Sequence, residues 1–388
     1  MAPHEPKLYW IGFNLVKGIG AVRFRKLLDT FGDAETAWNA PVDALRVAGL
    51  SSKLVENLRQ MRSQVSLEQI WDRLQAQNIR LLTWDDEDYP RRLKEIEQPP
   101  PVLYLRGDLK LEDEWAVAIV GTRRITPYGR QVAEEVSATL ARNGVTVVSG
   151  LARGVDAVAH QAAVQAGGRT LAVLGSGVDR IYPPENQRLA EQIISHGAVI
   201  SDYPIGTPPE GPNFPPRNRI ISGLSLAVIV IEGNLDSGAM ITATFAAEQG
   251  RELFAVPGSI LAPQSKGTNR LIRDGARLLL DPQEVLEILD LQQATAQQTA
   301  RQILPGDPVE AQLYQVLGPE PLHVDDIRSQ TGMSIEKVSS TLALMELKGM
   351  VRQVGGMNYV RVREAQAEYQ ATGTPTLSTS DQEQSPNR

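Results

Sequence analysis

Cysteine is missing from the 388-residue chain, which excludes disulfides, thiolate metal sites and cysteine nucleophiles and suits a reducing compartment. Histidine is scarce: His4, His160, His196 and His323 are the whole set. No run of about 18 or more apolar residues occurs, so a membrane-spanning helix is not indicated, and the opening MAPHEPKLYW has no apolar signal core. A cytoplasmic location is therefore expected. Positive charge is also in short supply, with 39 basic against 46 acidic residues and a net charge of −7. That removes the simplest argument for nucleic-acid binding, a basic surface overall. Any such binding must be local.

What is present is enough for a folded core, since 42% of residues are hydrophobic and 22% charged. At a prior of about 150 residues per domain the length suggests two to four units. Residues 1–65 alternate short helical patterns with Gly turns, Val16-Lys17-Gly18-Ile19-Gly20-Ala21 before one helix and Val47-Ala48-Gly49-Leu50-Ser51-Ser52 before another. This resembles a helix-hairpin-helix, or SAM-like, helical domain. Its helix N-termini can meet a phosphate, although the same glycines equally permit tight αα corners. Residues 66–105 read as a connecting segment with a helix from Leu67, a strand from Ile79 to Thr83, an acidic turn at Asp85–Asp88 and a stiff Pro99-Pro100-Pro101 run. Past residues 106–290, a Gln/Ala/Thr-rich linker is expected over 291–305 and a disordered tail over 364–388. Between these, residues 306–363 show three helical patterns and a hairpin around Gly355-Gly356, a winged-helix order. With 6 basic and 7 acidic residues, that stretch favours a protein-contact or regulatory role over duplex binding.

The centre, residues 106–290, repeats strand, turn and helix. Apolar β-branched runs at Val117–Val120, Val145–Val148, Thr170–Leu174, Ala198–Ile200, Leu226–Ile231 and Leu253–Val256 alternate with helical stretches. That pattern predicts a Rossmann-like, doubly wound α/β fold with a mostly parallel sheet covered on both faces. Ligand groups then gather at the carboxyl ends of the strands. Those ends read Gly121-Thr122-Arg123-Arg124, Gly150-Leu151-Ala152-Arg153-Gly154, Gly175-Ser176-Gly177, Glu232-Gly233-Asn234 and Pro257-Gly258. Glycines let a ligand approach peptide N–H groups, and helix N-termini favour anions. Two further dense loops, Phe214-Pro215-Pro216-Arg217-Asn218-Arg219 and Lys266-Gly267-Thr268-Asn269-Arg270, add cations. The segment holds 15 arginines and 2 lysines among 21 acids, so the guanidinium groups must be focused in a crevice to matter.

Absences narrow the ligand. GxxxxGK[ST] does not occur and GxGxxG does not follow the first strand, which argues against Walker and dinucleotide sites. Asp156 and His160, four apart at one helix start, could form an acid/base pair, but a first-turn Asp is expected from helix electrostatics and a lone His there is more often structural. No cofactor and no metal are expected.

The succession VAIVGTRRITPYG, VSGLARGVDAVAHQAA, LGSGVDRIYPPEN, FPPRNRIISGLS, SGAMITATFAAEQGR and KGTNRLIRDGA resembles the DNA-processing protein A (DprA/Smf) family. The resemblance implies a non-catalytic, usually homodimeric protein that binds single-stranded DNA, protects it and loads the RecA recombinase onto it during natural transformation, past single-strand-binding protein. It also implies a crevice made of Gly121, Thr122, Arg123, Arg124, Gly150, Arg153, Phe214, Arg217, Asn218, Arg219, Ser237, Gly238, Lys266, Gly267 and Asn269. Phe214, Tyr128 and Tyr182 are stacking candidates, each equally readable as a core aromatic. The rival reading is a phosphoribohydrolase-like enzyme acting on nucleotides. It lacks support because Ser237–Phe245, the stretch nearest to the PGGxGTxxE signature of those enzymes, has no glutamate in the equivalent place.

Overall fold

The computed structural model describes residues 5–290, 307–318, 321–347 and 350–361. The chain divides into two compact units, 1–295 and 296–388. In the first, nine strands form one sheet in the order β1-β2-β6-β5-β4-β3-β7-β8-β9. These are β1 (Arg80–Thr83), β2 (Val102–Gly107), β3 (Ala116–Val120), β4 (Thr146–Ser149), β5 (Thr170–Val173), β6 (Gly197–Ser201), β7 (Ala227–Val230), β8 (Glu252–Ala255) and β9 (Arg277–Leu278). From β6 to β9 in that order every pairing is parallel. β2 extends the edge antiparallel to β6, and β1 pairs antiparallel with β2. The doubly wound, mostly parallel expectation therefore matches the fold.

Alternation along the strands sorts side chains between two cores, as the period-2 pleat requires. Val117, Ile119, Val147, Ala227 and Ile229 share a buried cluster with Val136 and Leu140 of α8 (Pro127–Arg142), Val155 and Ala159 of α9 (Val155–Gln165) and Val285 of α14 (Pro282–Ile288). Ala118, Val120, Val148 and Val228 face the other way, with Ile193 of α10 (Gln187–His196), Ile220 of α11 (Phe214–Gly223) and Ala243 of α12 (Gly238–Glu248). Both sheet faces are dry, so burying each large aliphatic residue contributes on the order of 1.5–3 kcal/mol.

Two expectations are corrected. Residues 66–105, read as a connecting segment, supply β1 and β2 to the sheet itself. The triproline run leads straight into β2, and the Pro100 carbonyl accepts from the buried Tyr89 hydroxyl at 2.7 Å. Residues 1–65 do form short helices, among them α1 (Lys7–Leu15), α2 (Ala21–Phe31) and α5 (Ser52–Gln64). Gly18 and Gly49 turn the chain at φ of 98° and 94°, a region glycine reaches without strain. These helices share the sheet's hydrophobic cluster, however. Trp10 meets Phe24 at 4.8 Å and Trp84, just past β1, at 5.9 Å, and the Tyr104 hydroxyl on β2 donates to Asn14 Oδ1 at 3.0 Å. The acidic turn is equally structural, with Asp86 accepting from the Thr83 N–H and pairing with Lys7.

The second unit has helices Pro308–Val316, Val324–Thr331 and Ile335–Leu347 and a three-stranded sheet, β10 (Leu322–His323), β12 (Asn358–Arg361) and β11 (Val351–Gln353). Leu313, Ile327, Val338, Leu342 and Tyr359 form its core. The expected winged helix is present. The expected linker at 291–305 and tail at 364–388 lie outside the described residues.

Candidate nucleic-acid interface

Chain order around the sheet decides where a ligand fits. From β3 the chain steps outward through β4, β5 and β6, then returns to the other side of β3 as β7 and continues to β8 and β9. Connections leaving β3 and β7 diverge, and a crevice opens at that switch point, outside the carboxyl ends of the strands. Its volume is about 720 Å³. The turn after β3 contributes Gly121, Thr122, Arg123 and Arg124, the segments after β4 and β5 contribute Ala152 and Tyr182, α11 contributes Phe214, Arg217 and Asn218, and α12 contributes Ser237, Gly238, Ile241 and Thr242.

Three features suit a nucleic-acid strand. Arg123 and Arg124 are exposed, and neither enters an ion pair among the described residues. The Arg123 guanidinium lies 5.6 Å from the Phe214 ring centre, a distance at which cation and ring attract. Phe214 in turn leans on Tyr182, with ring centroids 5.9 Å apart. Finally, α12 points its N-terminus at the space: Gly238 is exposed, and the enclosed Ser237 Oγ has no hydrogen-bond partner. First-turn N–H groups of a helix are unsatisfied and carry partial positive charge, so an anion is welcome there.

Other expected contacts are placed differently. Arg217 is 4% exposed; its Nη1 donates to the Gly150 carbonyl at 2.8 Å and to the Val173 carbonyl. Burial pulls its pKa down to about 10 while the neighbouring Asp156 opposes the shift. Arg217 is thus the floor of the crevice and not a free phosphate ligand. Gly150 is likewise no open amide, because its N–H donates to Asp156 Oδ2 at 3.1 Å. Arg219 faces away on α11, with Nη2 on Asp202 at 2.8 Å and Nη1 on the Gln98 carbonyl at 2.6 Å. Asn218 borders the crevice but donates to the Gly238 carbonyl at 3.2 Å, tying α11 to α12. Arg153 pairs with Glu185 at the surface.

Lys266, Gly267 and Asn269 do not line this cavity. They belong to α13 (Lys266–Arg273), beyond β8. The Gly267 N–H donates to the Gly233 carbonyl at 2.8 Å, and the Asn269 side chain brackets the Gly258 backbone, accepting at 3.2 Å and donating at 2.9 Å. Lys266 alone of the three is exposed. Tyr128 also lies elsewhere, its hydroxyl donating to the Pro257 carbonyl at 2.9 Å.

Asp156 and His160 do not form an acid/base pair. Desolvation raises the Asp156 pKa against the lowering effects of Arg217 and the Ala152 and Gly150 amides. His160, wholly buried, is pulled down to about 3 chiefly by desolvation and holds Thr170 Oγ1 at 2.6 Å through Nδ1. Reading the sequence missed Asp202 and the amide-gathering role of Asp156, both of which are carboxylates that charge patterning leaves indistinct. Ile241 and Thr242 were missed as well, although a spacing of four from Ser237 and Gly238 places them on the same helix face.

The sequence profile described as DNA recombination-mediator protein A matches residues 80–290. The chain belongs to that family. The DprA winged helix domain matches residues 295–357. Protein Smf of Synechocystis sp. is 38% identical over 395 residues, covering 92% of this chain and 99% of the relative. DNA processing protein DprA of Streptococcus pneumoniae is 45% identical over 201 residues, covering 52% of this chain and 71% of the relative. The crystal structure of DprA from that organism superposes with a TM-score of 0.65 at 35% identity, covering 72% of this chain and 97% of the other. This chain joins an α/β sheet unit to a winged helix, and none of its described helices is long and apolar enough to cross a membrane.

Proposed function

We propose that this family member binds single-stranded DNA in the switch-point crevice, protects it and loads the RecA recombinase onto it in the cytoplasm during natural transformation, in the presence of single-strand-binding protein and without turnover. The observation that carries this reading is the convergence of Arg123, Arg124, the Phe214–Tyr182 pair and the α12 N-terminus on one cavity of a chain whose net charge is −7. Guanidinium groups and helix amides suit phosphates whatever the sequence, and aromatic faces accept any base. Support for a non-catalytic role comes from Asp156, the one carboxylate among the described residues that border the cavity, whose Oδ2 is engaged by two backbone amides. Support for a homodimer comes from Ile260 and Leu261, 83% and 86% exposed between β8 and α13, apolar surface that a second copy would cover.

The test is a fluorescence-anisotropy titration with labelled single- and double-stranded oligonucleotides of equal length. Preference for the single strand, with log affinity falling against log salt by about 0.7 per phosphate neutralised, is the expected result. Equal affinity for duplex, or binding indifferent to salt, would refute it. Release of free base from nucleoside monophosphates would instead favour the hydrolase.

A further inference from the structure

The turn that carries Arg123 and Arg124 is an arch, residues 121–125, between the end of β3 and the Thr126 cap of α8. Its middle is tied down twice: the Thr122 carbonyl accepts from the Val155 N–H at 3.2 Å, and Thr122 Oγ1 accepts from the Arg124 N–H at 3.1 Å. Ile125 leans on the apolar core at the far end. The last fixing comes from outside the arch, from Glu232 just past β7. Its Oε2 accepts from the Thr126 N–H at 3.0 Å and its Oε1 from the Thr126 hydroxyl.

Glu232 is a costly residue in that place. It is 3% exposed and has no cationic partner among the described residues, so its charge has to be held by hydrogen bonds and dipoles. Thr126 supplies the first and the N-terminus of α8 the second, since its partial positive charge favours an acid. Gly129 makes the room, because a Cβ there would collide with the carboxylate. Capping alone does not account for the glutamate. Thr126 Oγ1 already caps α8 by accepting from the Gly129 N–H at 3.1 Å, so a smaller uncharged side chain at 232 would leave the helix capped. What an acceptor at 232 adds is a hold on the Thr126 amide, the point where arch joins helix.

We infer that Glu232 is a positioning residue of the crevice: by fixing the Thr126 end of the arch it holds Arg123 over Phe214, 5.6 Å from the ring centre, before a strand arrives. The inference rests on the single-strand reading. Glu232 does not line the cavity, so its effect passes through the two exposed arginines. A turn already ordered has less conformational freedom to lose on binding. Charge and positioning then act with opposite signs. Coulomb repulsion makes a carboxylate near the crevice unfavourable for an anionic strand, so removing it for its charge alone would tighten binding, whereas loss of positioning weakens it.

The experiment titrates the full chain with a labelled single-stranded oligonucleotide at low salt. Glu232→Ala weakens binding at least five-fold, and Glu232→Gln, which loses the charge but still offers the amide an acceptor, recovers affinity to within two-fold of wild type. In an Arg123→Ala/Arg124→Ala background Glu232→Ala costs less than two-fold, because residues that act as a unit are not additive. Thr126→Val removes the hydroxyl bond from the other side and shows the same dependence on the arginines, so the comparison survives if Glu232→Ala fails to fold. Thermal melts establish which variants are folded. Unchanged or tighter binding by Glu232→Ala, an equal loss in both backgrounds, or a Glu232→Gln chain as weak as Glu232→Ala would overturn the inference. A wild type that ignores the strand, or an arginine double variant that binds as well as wild type, would instead overturn the single-strand reading on which it rests.

Discussion

Gly150 and Arg217 share one space. A Cβ at position 150 would lie 2.5 Å from Arg217 Nη1, and the Gly150 carbonyl accepts from that same nitrogen at 2.8 Å. The glycine at the end of β4 is therefore a socket for a buried guanidinium, whatever else its turn does. Gly150→Ala is expected to unseat Arg217 and lower stability by about 1–3 kcal/mol, as overpacking does. Urea unfolding measures it, and an unchanged midpoint would show that the guanidinium has room to move.

The exposed and buried arginines should fail in different ways. Arg123→Glu is expected to weaken single-strand binding at least ten-fold and reduce the salt slope by roughly 0.7, with little change in melting temperature. Arg217→Met should instead cost about 3–5 kcal/mol of stability, because it strands Asp156 without its cation. Anisotropy and thermal melts on both variants separate the cases; a stable Arg217→Met protein defective only in binding would restore Arg217 as a ligand.

Stacking is expected from Phe214 and not from Tyr128. Phe214→Ala should lose about 1–3 kcal/mol of binding free energy for a stacked base. Tyr128→Phe, which removes only the bond to the Pro257 carbonyl, should leave affinity unchanged. The reverse ranking would move the strand toward β8.

His160 makes a pH prediction with a definite sign. Its folded pKa of about 3 lies below the ordinary 6.5, so between those values the unfolded chain binds more protons than the fold. The contribution of a neutral His160 is complete above about pH 6.5 and declines as pH falls toward 3, by at most about 1.4 kcal/mol per unit. Buried Asp156 and Asp202, with raised pKa values, pull in the opposite direction. The comparison that isolates the imidazole is wild type against His160→Gln, in urea titrations from pH 7 to 4. The variant's stability should fall less steeply, and parallel profiles would show that the ring accepts a proton in the folded state.

Much of the fold is legible because its signals are local. Ala116–Val120 reads AVAIV between polar turns, and the Thr126-Pro127 start of α8 places a side-chain cap before a proline at N1. The strand at Ile79–Thr83 was legible as β1, but its membership of the sheet, and β2 altogether, escaped because their place depends on Tyr104–Gly107 pairing with Ala198–Ser201, a non-local match that no pattern within either segment announces. Of the site, the GTRR turn was legible as an exposed cationic loop at a strand end.

Composition, strand periodicity and the glycine-arginine turns by themselves determined a doubly wound sheet with a winged helix after it, and they put cations at the sheet's carboxyl edge. Only the tertiary structure decided which cations remain available. Arg217 and Arg219 are two apart on α11, about 200° around a helix, so Arg217 is spent on the Gly150 and Val173 carbonyls near Asp156 while Arg219 pairs with Asp202. Those partners come from distant segments, and whether a guanidinium meets a carboxylate or solvent is settled by packing between segments, which the order of residues alone does not display.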